Sequence, residues 1–178
     1  FNLVVDDPFL NWTRRGENLG TGSFYTVIHD GRQFIAAGPA NLATSPDGTT
    51  WSRRTAMPGF YPWQIAVAGS SYVAAGYTPG NQSIGLIAHS SDGVTWRVAP
   101  SPAPLPEMYS VAFGAGRFVA VGKAGALLHS IDGATWSATT PLTTRDLRDV
   151  HFANGRFDIS GDAGVVLVSP DGLGWTNR

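Results

Sequence analysis

Acid–base chemistry would have to come from carboxylates, and the chain offers few of the right kind. Glu17 and Glu107 are the only glutamates. Glu107 with Asp149 or Asp162 would supply the two carboxyl groups of a glycoside hydrolase, one to protonate the leaving oxygen and one to attack or to activate water. All three fall on expected loops at one end of the fold, where carboxylates are more often simply solvated. The histidines show no metal-ligand spacing: His89 and His129 occupy equivalent positions in separate repeats, and His29 and His151 lie on expected strands. Partly buried sheet histidines are the expectation, with no metal and no cofactor. No phosphate-cradling glycine loop, Ser-His-Asp order or nucleophile elbow is present, and Gly114-Ala115-Gly116 reads as a hairpin turn.

The elements that would position these groups are set by a repeat. The phrase Ser-x-Asp-Gly-x-Thr-Trp occurs at Ser45–Trp51, Ser90–Trp96 and Ser130–Trp136, and again at Ser169–Trp175 with Gly174 in place of Thr. With a solitary Trp12 upstream, the steps from Trp to Trp are 39, 45, 40 and 39 residues. A period near forty marks a repeat architecture. Aligned on Trp, the repeats show further columns. Phe34, Tyr72, Phe118 and Phe157 form one, each followed four residues on by Gly38, Gly76, Gly122 or Gly161. Nine residues before those aromatics stand Tyr25, Trp63, Tyr109 and Arg148, and two residues after these come Val27, Ile65, Val111 and Val150.

Short apolar segments separated by Asp-Gly, Gly-Ser, Ala-Gly and Asn-Gly steps predict strands joined by tight turns, and no window has helical periodicity. In the first unit these are strand a over Tyr25–His29, b over Gln33–Ala37, c over Leu42–Ser45 and d around Trp51. Four short antiparallel strands every forty residues describe an all-β fold, a β-propeller of four-stranded blades. The expected units are a partial blade at 1–20 and repeats at 21–59, 60–104, 105–144 and 145–178. The second repeat is longer by six residues because of an insertion within Gly76–Gly85, between strands b and c.

The repeated phrase resembles the box of Asp-box, or bacterial-neuraminidase, repeat proteins of the sialidase-like superfamily, with one residue fewer between Asp and Gly than their usual signature. The resemblance runs from Trp12 to Trp175. It implies a propeller whose boxes lie on the c–d turns, away from the funnel that holds a ligand, so that Asp47, Asp92, Asp132 and Asp171 cap turns while Trp51, Trp96, Trp136 and Trp175 pack beneath them. In such turns the Asp accepts from backbone N–H groups, the Gly supplies an unusual φ, and the Ser and Thr hydroxyls tie the ends. One carboxylate per turn is too few for calcium. Asp-box proteins include sialidases, other glycosidases, lectin-like proteins and assembly factors. A sialidase-type enzyme would also need an arginine cluster, a Tyr nucleophile with its Glu and an Arg-Ile-Pro type motif, and the last is absent.

Composition narrows the class further. At 43% hydrophobic and 11% aromatic residues the chain can build a core, while 14% charged residues and a formal net charge of −1 leave no basic field for nucleic acid or a membrane surface. No apolar run approaches a bilayer span, and no secretory leader is recognisable at the start. The absence of Cys removes disulfides and thiolate metal sites. Low charge with abundant Gly, Ser, Thr and Trp points to an extracellular or periplasmic protein. The first residue is Phe1, as after processing or in a fragment, and Phe1–Val5 with Trp12-Thr13-Arg14-Arg15 reads as the outer half of a blade. Three arrangements stay open: part of a longer propeller, a ring completed by this chain's own copy or another propeller chain, or four blades that close alone.

Two residues break their columns. Asp158 stands where the other repeats have Ile35, Val73 and Val119, and a buried unpaired carboxylate is costly, so it is paired or exposed. Arg148, in the column of Tyr25, Trp63 and Tyr109, is one possible partner; the alternative is an edge blade where both residues reach water.

Loops joining d to the next a, and b to c, converge on one propeller face. There the candidate ligand-binding residues are Tyr61, Trp63, Tyr77, Asn81, Gln82, Glu107, Tyr109, Arg145, Arg148 and Asp149. Aromatic rings beside amides and carboxylates suit sugars, and they suit a protein surface too. Tyr25, Trp63 and Tyr109 alternatively just line the central channel. The expected function is a non-enzymatic module that binds a glycan or glycoprotein, against a protein-assembly scaffold or a fragment of a glycosidase.

Overall fold

The computed structural model describes residues 19, 22–55, 59–80, 84–101 and 104–178, and the sequence-expected partial blade, Leu19 apart, lies outside them. The described chain is a β-propeller arc of four antiparallel four-stranded blades. Blade one comprises β1 (Thr26–His29), β2 (Phe34–Gly38), β3 (Asn41–Ser45) and β4 (Ser52–Arg54). Blade two comprises β5 (Tyr61–Ala68), β6 (Ser71–Thr78), β7 (Ile84–Ser90) and β8 (Arg97–Val98). Blade three comprises β9 (Met108–Gly114), β10 (Arg117–Gly122), β11 (Leu127–Ser130) and β12 (Ser137–Ala138). Blade four comprises β13 (Leu147–Ala153), β14 (Arg156–Gly161), β15 (Val166–Ser169) and β16 (Thr176–Asn177). The inner strands β1, β5, β9 and β13 pack one on the next.

The core lies between blades. In β10, Phe118 and Ala120 face blade two and join Val73, Ile87 and Met108, whereas Val119 and Val121 face blade four and join Val150, Phe157 and Leu167. A strand buried on both faces reads as a continuous apolar run, and β10 does. Burying a side chain such as Phe118 contributes about 1.5–3 kcal/mol.

The box turns interlock these layers. In each, the Asp Oδ1 accepts two backbone N–H groups and the Ser hydroxyl; for Asp92 the donors are Val94 N at 2.8 Å, Thr95 N at 2.7 Å and Ser90 Oγ at 2.8 Å. Trp51, Trp96 and Trp136 donate their indole N–H to the carbonyl of Gly48, Gly93 and Gly133. The fourth box has Gly174 for Thr, and Trp175 Nε1 is buried there with no hydrogen-bond partner among the described residues. The box glycine is also the hole for a knob from the preceding blade: a Cβ on Gly93 would come within 2.4 Å of Ile35, and one on Gly133 within 2.6 Å of Val73.

That arrangement explains Asp158. It holds the knob position of blade four, on a face over which no described blade packs, where its neighbours His151, Arg156 and Ser160 are exposed. The suggested pairing with Arg148 is corrected: Asp158 pairs with Arg156 at 3.0 Å, and Arg148 turns toward the funnel. Phe157 and Ile159, one residue either side, face blade three, so the alternation in β14 is that of a strand with one buried face. The inserted segment is not a plain loop either, since it lengthens the β6–β7 hairpin and pairs Tyr77 with Gly85 and Thr78 with Ile84.

Candidate functional site

The first residues of the inner strands carry the site, and a repeated backbone device aims them. In blade two the register runs Pro62↔Gly76 then Gln64↔Ala75, which leaves Trp63 as the extra residue of a β-bulge. The same shift leaves Tyr109 extra in blade three and Arg148 extra in blade four. In blade one the N–H of Tyr25 bonds Ala37 O at 2.8 Å beside the Thr26↔Ala37 pair. A bulge kinks its strand and redirects the extra side chain. It also brings two backbones together, which is the duty of the glycine column: a Cβ on Gly38, Gly76, Gly122 or Gly161 would stand 2.2, 2.2, 2.1 or 2.6 Å from the carbonyl oxygen of Ser23, Tyr61, Glu107 or Asp146.

The three bulge residues and Tyr25 converge on an open basin of about 480 Å³ lined by Tyr25, Thr26, Trp63, Gln64, Tyr109, Arg148 and Asp149. On one side the rings form a ladder. Trp63 lies face to face with Tyr25, centroids 4.9 Å apart and planes 14° apart, and with Tyr77 at 5.7 Å and 22°. Tyr61 meets Tyr77 edge to face at 5.6 Å. The inserted hairpin thus brings Tyr77 beneath the indole, and burial with the neighbouring Tyr25 pushes the Tyr77 phenol up. Trp63 thus stacks on two rings and, at 37% exposed, still presents part of its surface to the basin. Tyr25, at the end of the ladder, keeps its outer face and is 44% exposed.

On the other side Arg148 lies over the Tyr109 ring, its guanidinium carbon 4.9 Å from the centroid. It donates from Nε and one terminal nitrogen to the two oxygens of Asp162 at 2.8 and 2.7 Å, and the same terminal nitrogen reaches Asp146 at 3.1 Å. Tyr109 donates to Asp146 at 3.3 Å, and Asp146 also accepts the Ala124 N–H at 2.9 Å. Burial, then the Asp146 charge, pushes the Tyr109 phenol up, and hydrogen bonding by Arg148 holds the Asp162 carboxyl below the usual range. At the floor Ser110 Oγ joins three blades: it donates to Asp149 at 2.8 Å, lies against Gln64 Oε1, and accepts the Val150 N–H at 2.9 Å.

Of the sequence-derived set, the structure brings Trp63, Tyr109, Arg148 and Asp149 into the basin, with Tyr77 and Tyr61 behind Trp63. Glu107 pairs with Lys123 at 3.6 Å outside the lining, Arg145 is exposed and does not line it, and Asn81 and Gln82 lie outside the described residues. Sequence reasoning left Tyr25, Gln64, Ser110 and Asp146 out of the set. Tyr25 was signalled by its column, which it shares with the three bulge residues. For the other three the signal is contact between blades about forty residues apart, which no local pattern carries.

No family model matches the chain, and no curated protein matches it. Among solved structures it is similar to "YCF48 bound to D1 peptide" (19% identity, 86% of this chain and 53% of that one, TM-score 0.61). It is also similar to a chain of a nidogen/laminin complex (15%, 84% and 60%, TM-score 0.64) and to streptogramin B lyase (8%, 87% and 54%, TM-score 0.70). At these identities the likeness is one of fold, and the chain spans little more than half the length of each.

Proposed function

We propose that this chain is a non-enzymatic binding domain whose funnel takes up an extended segment of a protein partner. The observation that carries the reading is the engagement of the rings with one another: Trp63 stacks on Tyr25 and on Tyr77, and Tyr109 is capped by Arg148. A sugar-binding platform needs an open ring face, whereas indole and phenol edges, the Gln64 amide and Asp149 offer the alternating donors and acceptors that a polypeptide backbone uses. Two of the similar structures are complexes with a peptide or a protein, which agrees with such a use of the fold. Hydrolysis fits less well, because Glu107, the carboxyl group that would have to act together with Asp149 or Asp162, pairs with Lys123 at 3.6 Å and does not line the basin.

A second reading, a glycan or glycoprotein ligand, draws on Tyr25, whose outer face is open. Screening the full chain and its Trp63→Ala variant against a peptide array and a glycan array separates the two. Selective peptide capture that the variant loses supports the proposal. Glycan capture lost on Tyr25→Ala, with no peptide retained, replaces it.

A further inference from the structure

Arg148 shows how this basin holds a cation: an aromatic face below, Tyr109, and carboxylates at the guanidinium edge, Asp162 and Asp146. The rest of the basin holds the same ingredients without a second arginine. Asp149 has no cationic side chain within ion-pair distance among the described residues, and its one hydrogen bond there engages Oδ1, which leaves Oδ2 to the basin. Arg148, its neighbour in sequence, spends its charge on Asp162 and Asp146. Across the floor, Asp149 and Gln64 meet at the same Ser110 hydroxyl, which sets the carboxylate beside the residue that follows Trp63. The remaining lining, Tyr25, Thr26, Trp63 and Gln64, carries no positive charge.

We propose that the funnel reads a basic side chain, an arginine or lysine of the bound segment, which docks its cation on Asp149 against the open face of Tyr25. This rests on the polypeptide reading above. An aromatic ring supplies cation attraction of about 0.5–2 kcal/mol, and a carboxylate alongside adds to it and supplies direction. Burying the cation costs little here, because the basin is open to water.

The test is a titration of the full chain followed by ¹H–¹⁵N spectra, reading the Trp63 indole and the Ser110, Val111 and Val150 amides. The probes are N-acetyl-argininamide and its neutral isostere N-acetyl-citrullinamide. The expected result is binding of the arginine probe at these resonances about tenfold tighter than the citrulline probe, lost in Asp149→Asn and weakened by salt. Because the arginine–citrulline comparison is made on the unaltered chain, the result stands even if the variant misfolds. Equal binding of both probes at these resonances overturns the basic-residue proposal and leaves the polypeptide reading intact. No perturbation of the funnel by either probe, with a peptide captured elsewhere on the array, overturns both.

Discussion

Trp63 and Tyr25, from neighbouring blades, stack face to face with centroids 4.9 Å apart. The contact makes Trp63 a support for the funnel wall as much as a contact surface. Replacing it with Ala removes two stacked ring pairs, so Trp63→Ala is expected to lower stability by about 1–2 kcal/mol in urea denaturation. Trp63→Phe is expected to retain most of that stability. Equal losses in the two variants would show that the stacking contributes nothing.

The bulge glycines are expected to be among the least replaceable residues. Gly76→Ala drives a methyl toward Tyr61 O, 2.2 Å away, and the collision is with backbone rather than with a side chain that can turn aside. A loss of about 2–4 kcal/mol is expected, together with a shift of the Trp63 indole resonance as the bulge is deformed. Gly80→Ala, with nothing within 4 Å among the described residues, serves as the comparison and is expected to change little. A Gly76→Ala variant as stable as Gly80→Ala would remove the bulge from the account.

The box aspartates give the protein its acid limit. Hydrogen bonds from the Thr95 and Thr135 backbone N–H groups, foremost, hold Asp92 and Asp132 at about 2, below the ordinary 3.8. A depressed carboxylate contributes stability that is complete above its unfolded value and is lost as pH falls through the folded one. Stability is therefore expected to fall between about pH 4 and pH 2, measured by urea denaturation across that range. Asp132→Asn is expected to be less stable at neutral pH by about 1 kcal/mol and to lose less than the parent on acidification. An unchanged acid slope in the variant would contradict this.

Blades one and two share a bond that fails in alkali. Tyr72 donates to Asp30 Oδ2 at 2.6 Å, and burial followed by that bond pushes its phenol up to about 12. A raised folded pKa contributes stability present below the unfolded value of 10 and lost as pH rises through the folded one. The loss is expected between pH 10 and 12. Tyr72→Phe is expected to be about 1 kcal/mol weaker at neutral pH and flat across the alkaline window. The same alkaline slope in both proteins would place its origin elsewhere.

Asp158 keeps the exposed face of blade four polar, in the way inward-pointing charges protect sheet edges. Restoring the column's apolar residue with Asp158→Val is expected to promote self-association at raised concentration, seen as a higher mass by light scattering. A variant with the parent's mass at every concentration would show that the charge has no such role.

Much of this fold was legible because the repeat displays each constraint four times. The box Asp and Gly, the glycine four residues past the aromatic, and the column of Tyr25, Trp63, Tyr109 and Arg148 all stand in register in the chain, and each has one physical duty in the structure. The alternation around Asp158 was visible too, although its meaning depended on knowing which face of blade four no described blade covers. The stacking of Trp63 on Tyr25 and Tyr77 could not be read, because it depends on how far a hairpin insertion reaches across a blade boundary. Nor could the meeting of Gln64 and Asp149 at Ser110, where three blades contribute one group each.

The central claim is that ligand enters at the bulge residues. The most direct measurement is the chemical-shift map of the full chain with the tightest peptide from the array. Perturbations centred on Tyr25, Trp63, Gln64, Tyr109 and Asp149 are the expected result. Perturbations confined to the box turns around Asp47, Asp92, Asp132 and Asp171, at the opposite end of the blades, would contradict it.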